Sequence, residues 1–361
     1  MVQRFIFSLI LLLTLSAQIE AKSNNTPAKD VISKAIKIQA DKLLQDARFS
    51  SVSIGVVKNT QSAIEHYGEL TKTKGNKPTD NTLYEIASVS KTMTGLMTAY
   101  AVTDGKLSLD DNINVYINNA MAQLSTNKKP VTIRGLLTHT SGLPRSYAEL
   151  GLTNKTLTRD AFLNALNQFE RGKNIGRYSY SSAGTELLSF ILETVYQMPF
   201  DTLLKQVLSA KAGMYNTMVN IDGEQLENFA FGYNEKGEIA RAYIEPNVLW
   251  GGGGHVKSTM SDLVQYMKLQ LQQKNPAITE SHKKLFHVAG TDSMAYFWIA
   301  SDDKKLGTYY ILHGGLKGTQ NWMMIFPKFN LAVSVITNSS FPQAAGLLRA
   351  VGMGIVKDLT I

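Results

Sequence analysis

Apolar residues recur at helical spacing at Ile32, Ile36, Ala40, Leu43 and Leu44, so residues 30–47 are predicted to open the fold as a helix. The period then shortens to two. Residues 51–57 and 63–67 are β-prone runs, and Asn59, Thr60 and Gln61 between them supply the turn chemistry of a hairpin. From about residue 87 to 206 helical patterns dominate, interrupted by loops rich in Gly, Asn and Pro at 104–112, 125–130 and 141–144. Strand signals return at 308–312, 321–326 and 331–337, the last two joined by the turn Pro327-Lys328-Phe329-Asn330. A helical pattern over 343–359 closes the chain.

Strands at both ends with helices between them imply an α+β fold. One antiparallel sheet draws its strands from distant parts of the chain, flanking helices cover it, and a mainly helical region is inserted in the middle. A cleft is expected where sheet and insertion meet. At 361 residues, 44% hydrophobic and 18% charged, the chain is predicted to form one interwoven domain over 22–361. Its α/β part covers about 30–86 and 255–361, and its mainly helical part about 87–254.

The first residues change the picture of where the protein works. Arg4 precedes an uncharged, mostly apolar stretch over 5–17, and the chain turns polar from Lys22, the pattern of an export signal over 1–21 with Ala17 and Ala21 as candidate cleavage points. That stretch is too short to span a bilayer comfortably, so the mature protein is expected to be secreted or periplasmic with no stable membrane span. The chain has no cysteine, which excludes a lipid-modified cysteine, disulfides and thiolate metal sites. Its net charge of +8 is scattered, with no basic run and no aromatic-basic signature, so a solvated basic surface is expected rather than nucleic-acid binding. His139, His255, His282 and His287 show no His-Glu-x-x-His spacing, and neither a metal nor a cofactor is predicted.

Ser-x-x-Lys occurs at Ser88/Lys91, Ser125/Lys128, Ser281/Lys284 and Ser301/Lys304. The last three sit in polar, loop-like contexts and are read as solvated surface residues. Ser88 stands instead at the start of an amphipathic helix whose stripe is Val89, Met93, Leu96, Met97 and Tyr100, with Gly105 as its stop. At ~100° per residue, Ser88 and Lys91 lie about 60° apart, away from that stripe, so both can face a cleft. A serine hydroxyl needs a neighbouring base and a stabilised oxyanion to act as a nucleophile, and a helix N-terminus helps with the second. The motif alone fits equally well an N-capping serine followed by a surface lysine.

Context separates the two readings. Tyr84-Glu85-Ile86-Ala87-Ser88-Val89-Ser90-Lys91-Thr92-Met93-Thr94-Gly95 resembles the active-site segment of class C β-lactamases, DD-peptidases and related esterases, and Leu136-Leu137-Thr138-His139-Thr140-Ser141-Gly142-Leu143-Pro144 is similar to a downstream loop of the same family. Tyr178-Ser179-Tyr180-Ser181-Ser182-Ala183-Gly184 resembles the family's Tyr-x-Asn block, with Tyr180 at the tyrosine and Ser182 where the family has asparagine. A rival Tyr-x-Asn at Tyr116/Asn118 is assigned to packing. His313-Gly314-Gly315, followed by Leu316, resembles the Lys-Thr-Gly strand with two substitutions. Trp250-Gly251-Gly252-Gly253-Gly254-His255, before a helix capped by Ser or Thr, is read as family architecture.

The resemblance implies a β-lactamase/transpeptidase-like fold in which Ser88 is acylated while Lys91 and Tyr180 manage its proton. It places Ser182, His313, Gly314, Gly315 and Leu316 along the substrate, with the N–H groups of Ser88 and Leu316 as oxyanion donors. The implied partner is a small molecule or peptide with an ester or amide carbonyl, a peptidoglycan stem peptide or β-lactam among the candidates. Ser182 replaces an amide by a shorter hydroxyl, and Gly314 lacks the hydroxyl that helps hold a β-lactam carboxylate. Both departures favour an esterase or D-amino-acid peptidase over an efficient β-lactamase. A non-hydrolytic penicillin-binding sensor with slow deacylation is the alternative.

Overall fold

The computed structural model describes residues 26–125, 129–240 and 247–360; the predicted export signal over 1–21 and Lys128 lie outside them. Four long helices frame the molecule: α1 (Thr26–Leu43), α2 (Ser90–Thr103), α3 (Ser182–Tyr196) and α4 (Ala344–Thr360). The strands are β1 (Ser51–Lys58), β2 (Gln61–Gly68), β3 (Leu83–Glu85), β4 (Lys257–Thr259), β5 (Phe286–Ala289), β6 (Asp292–Ala295), β7 (Trp298–Asp303), β8 (Gly307–Leu316), β9 (Thr319–Phe326) and β10 (Leu331–Thr337). Eight of them form one antiparallel sheet in the order β2-β1-β10-β9-β8-β7-β6-β5. Ser53 of β1 lies opposite Ile336 of β10, so strands from the two ends of the chain pair side by side in one sheet, as the separated strand signals implied.

The period-two pattern sorts side chains between two cores. Met324, Phe326 and Val333 face α1 and α4 with Ile32, Ile36 and Leu348, whereas Met323 and Ile325 face the helical region with Met93, Leu187 and Leu263. Since both faces are covered, β10 is buried along its whole length, and it reads as a mostly apolar run interrupted only by Ser334 before it ends at Thr337. The hairpin of β1 and β2 closes on Lys58 opposite Gln61, leaving a two-residue turn with Asn59 at φ 55°.

Several expectations are corrected. The short strands β3 to β7 carried no readable alternation: β6 and β7 include Asp292, Ser293, Asp302 and Asp303, and their edges are set by pairing rather than by pattern. The strand predicted at 308–312 continues to Leu316, so His313-Gly314-Gly315 lies within it. Ser281 and Ser301, read as solvated, are buried, their hydroxyls donating to the Ile278 carbonyl at 2.9 Å and to Asp292 at 2.5 Å. The helix beyond Ser88 is not amphipathic in place, since nearly all of α2 is buried between the layers. Gly95 marks its tightest contact. A methyl at that position would lie 2.3 Å from the Tyr296 carbonyl oxygen.

Gly95→Ala is therefore expected to destabilise the protein by about 1–3 kcal/mol through backbone overpacking, read as a lowered thermal midpoint. Gly346→Ala in α4, where nothing lies within 4 Å of the added methyl, is expected to stabilise by about 0.5–1 kcal/mol.

Candidate active site

Ser88 occupies a single 3₁₀ turn, Ala87–Val89, immediately before α2. Ala87 takes the left-handed conformation at φ 48°, which bends the chain out of β3 and presents the Ser88 hydroxyl at the helix entrance. The turn is fixed from the sheet. Asn321 of β9 donates to the Ile86 carbonyl at 3.0 Å, and Gly314 of β8 packs so closely that a methyl there would lie 2.4 Å from the same oxygen. The glycine at 314 therefore lets the nucleophile turn approach the strand, whereas the resemblance implied a place along the substrate. Threonine does not fit at this place.

Lys91 follows one helical turn later and is completely buried. Its ammonium donates to Ser88 Oγ at 3.4 Å, to Ser182 Oγ at 3.1 Å and to the Gly253 carbonyl. Tyr180 completes the group. Its hydroxyl is 2.5 Å from Ser88 Oγ, and the Lys91 ammonium lies 4.9 Å from its ring centre. Burial alone would raise the pKa of the Tyr180 phenol, but the Lys91 charge and hydrogen bonds with Lys91, Ser88 and Ser182 outweigh it and hold the value below the ordinary one.

The Leu136–Pro144 loop explains why the tyrosine stands there. His139, at φ 57°, accepts the Ser179 N–H on its carbonyl and the Ser181 N–H on Nδ1 at 3.2 Å, gripping the chain on either side of Tyr180. Its ring centre is 4.6 Å from that of Tyr180 and 5.2 Å from that of Phe297. Ser181 then caps α3 by accepting from Gly184 N–H at 2.8 Å, which sets Ser182 at the first helical position. Ser88, His139, Tyr180 and Ser182, together with Gly315, Leu316, Arg145, His255 and Leu249, line a cleft of about 680 Å³. Beyond Ile311, β8 has no partner on the β7 side among the described residues, so its 312–316 edge is open for pairing.

The family model described as Beta-lactamase matches residues 39–353. The chain belongs to the beta-lactamase family. A beta-lactamase of Providencia stuartii is 28% identical over 238 residues, which is 66% of this chain; the chain spans only 59% of that relative's length. Among solved structures, a class C beta-lactamase superposes with a TM-score of 0.81 at 21% identity, covering 91% of this chain and 97% of that one. A beta-lactamase/D-alanine carboxypeptidase from Pseudomonas syringae gives 0.79 at 19%, covering 90% and 98%. At these identities the structural likeness is one of fold.

Not every residue that the sequence pointed to meets this beta-lactamase-family cleft in the same way. The His313 imidazole bonds to Gln320 Oε1 at 2.7 Å and packs 5.0 Å from Trp322, on the sheet face turned toward α1 and α4. It borders the cleft without joining the Ser88 group. Tyr116, of the rival Tyr-x-Asn, donates to Asp111 at 2.7 Å and lies outside the cleft. A Ser53–His66–Asp80 relay, with contacts of 2.8 and 3.0 Å, has its serine wholly buried in β1 and out of reach of a substrate. Two residues of consequence were missed: His139, quoted within the family-like loop and as a non-ligand but given no role of its own, and Glu186. The available signal for Glu186 was a lone carboxylate in the apolar run Ala183 to Leu192, a position that demands a buried partner.

Burial, and after it the Lys91 charge, pushes the His139 pKa down from 6.5 to about 3. An unfolded chain binds a proton there below pH about 6.5 while the folded one does not, so this histidine's contribution is complete above that pH and is lost as the pH falls toward about 3. His139→Asn, which can keep an acceptor for the Ser181 N–H, is expected to flatten the acid side of a plot of thermal midpoint against pH. An unchanged slope would refute this assignment.

Proposed function

We propose that this protein is a serine acyl hydrolase of the bacterial cell envelope, with Ser88 as nucleophile and the Tyr180/Lys91 pair as its acid and base. The observation that carries the reading is the 2.5 Å approach of the Tyr180 hydroxyl to Ser88 Oγ with the Lys91 ammonium 3.4 Å from the same oxygen. Ionised Tyr180 takes the Ser88 proton as Oγ bonds to the substrate carbonyl carbon. The oxyanion faces the N–H groups of Ser88 and Leu316, a kind of donor typically worth about 2.7–4 kcal/mol. Collapse breaks the bond to the leaving group, which takes the proton back from Tyr180. Water then gives a proton to Tyr180 as its oxygen bonds to the acyl carbon, and Ser88 leaves with that proton.

The substrate reading is an ester or a D-amino-acid peptide in preference to a rapidly hydrolysed β-lactam. Ser182 supports it, since a hydroxyl already engaged by Lys91 offers less than an amide for binding a substrate amide. Gly314 supports it too, because the packing against Ile86 leaves no room for a hydroxyl-bearing side chain. The carboxypeptidase activity in the name of the Pseudomonas syringae neighbour is compatible with it. In this reading residues 1–21 are an export signal and 22–361 the single catalytic domain, with the sheet part and helical part divided near residues 87 and 254. No helix among the described residues is long and apolar enough to cross a membrane. Ser182 also motivates the second reading, a penicillin-binding sensor that is acylated but released slowly.

A fluorophosphonate probe followed by peptide mapping is expected to mark Ser88, and labelling elsewhere or nowhere would overturn the assignment. Tyr180→Phe is expected to lower kcat/KM by about 10²–10⁴-fold. Because the ionised phenol is the working form, wild-type kcat/KM should rise with pH and level off below the ordinary tyrosine range. Turnover of an acyl ester chromogen should exceed that of a chromogenic cephalosporin; the reverse ranking would restore the β-lactamase, and a stable β-lactam adduct seen by mass spectrometry would favour the sensor.

A further inference from the structure

Lys91 is a cation without access to water, yet among the described residues no carboxylate touches it. Its ammonium is held by uncharged acceptors, among them the Ser88 and Ser182 hydroxyls and the Gly253 carbonyl. A buried charge held this way needs both a fixed geometry and a compensating charge nearby. Both lead to one residue that the proposed reaction does not use. Glu186 is buried in α3, and its two oxygens accept three backbone N–H groups, from Trp250 at 3.0 Å, Gly251 at 2.8 Å and Gly253 at 2.9 Å. The strap from Trp250 to Gly254 is thus fastened to the helix on both sides of Gly252.

Sterics lock the strap further. A methyl on Gly253 would lie 2.6 Å from Glu186 Oε1, and one on Gly252 would lie 2.2 Å from Ser189 Oγ and 2.5 Å from Thr94 Oγ1. Thr94 donates to the Gly252 carbonyl at 3.2 Å, tying the strap to α2 as well. The consequence is a defined direction for the next carbonyl, that of Gly253, which receives the ammonium. Ser182 and Glu186 are four residues apart on α3 and share one face. A single helical turn thereby supplies a hydroxyl that touches Lys91 and a carboxylate that fixes another of its acceptors. Burial raises the Glu186 pKa, and the three backbone N–H bonds together with the Lys91 charge across the Gly253 peptide oppose that rise in favour of the carboxylate.

We infer that Glu186 is a positioning residue for Lys91, holding the Gly253 carbonyl against the ammonium and serving as its counter-charge through the peptide. The inference rests on the proposed role of Lys91 in acyl transfer. Glu186→Gln keeps the shape but turns one acceptor into a donor facing a backbone N–H, and removes the charge. In the full chain, with p-nitrophenyl acetate as probe, kcat/KM is expected to fall about tenfold or more with KM changed by about threefold at most, the signature of a lost transition-state interaction. The titration midpoint of the Tyr180 phenol, read from kcat/KM against pH, is expected to move to lower pH, because losing a nearby negative charge favours the phenolate. A purely structural role would lower stability without moving that midpoint.

Glu186→Asp serves as the second variant. It keeps the charge but retracts it by one methylene, so kcat/KM should fall while the midpoint stays near that of the wild type, and this result is required even if the Gln variant fails to fold. A folded Glu186→Gln protein with wild-type kcat/KM and an unmoved midpoint overturns the inference, as does an Asp variant with wild-type kcat/KM. The same midpoint is readable without substrate from the ¹³Cζ signal of Tyr180, assigned with Tyr180→Phe. A wild type inert toward ester and fluorophosphonate would therefore defeat the proposed function, while this coupling would still stand or fall on the spectroscopic titration.

Discussion

An ammonium group shut away from water must find acceptors for its protons or give up its charge. The Lys91 ammonium donates to acceptors on Ser88, Ser182 and Gly253, and the surrounding architecture is organised to keep them in place. Ser88 and Lys91 share the entrance of α2, Ser182 opens α3, and Gly253 belongs to a strap between distant helices. No two of those elements could shift independently without leaving a buried donor or acceptor unmatched. Tyr180 then inherits its low pKa from the same charge, since burial alone would push its phenol the other way.

The sheet contributes position rather than chemistry. β8 and β9 present Gly314 and Asn321 to the turn that carries Ser88, one by the absence of a side chain and the other by a hydrogen bond to the Ile86 carbonyl. The loop containing His139 acts from the opposite wall, binding the backbone on both sides of Tyr180. A neutral imidazole suits this place. Its Nδ1 must accept from the Ser181 N–H, and a protonated ring would have no lone pair there.

The two departures from the family motifs acquire a physical meaning in this setting. Ser182 is not a vacant asparagine site, because its hydroxyl is one of the acceptors that hold Lys91. Gly314 is not merely a lost hydroxyl, because the close approach of Ile86 forbids any side chain. In both cases the altered residue is integrated with the nucleophile's surroundings, which links the stability of the cleft to its choice of substrate.

Hydropathy periods and turn residues were enough to read the opening helix, the β1–β2 hairpin, the closing strands and the last helix. Each of these has one face or one run whose pattern is local. Motif order pointed to Ser88 over three other Ser-x-x-Lys pairs and to Tyr180, and the fold brings those two hydroxyls within 2.5 Å of each other. The short polar strands β3 to β7, the full burial of α2, the turning of His139 under Tyr180 and the grip of Glu186 on the glycine strap were not legible. Those features depend on pairings between residues far apart in the chain, and a one-dimensional pattern records which side chains want partners, whereas only the packed chain decides which partners they meet.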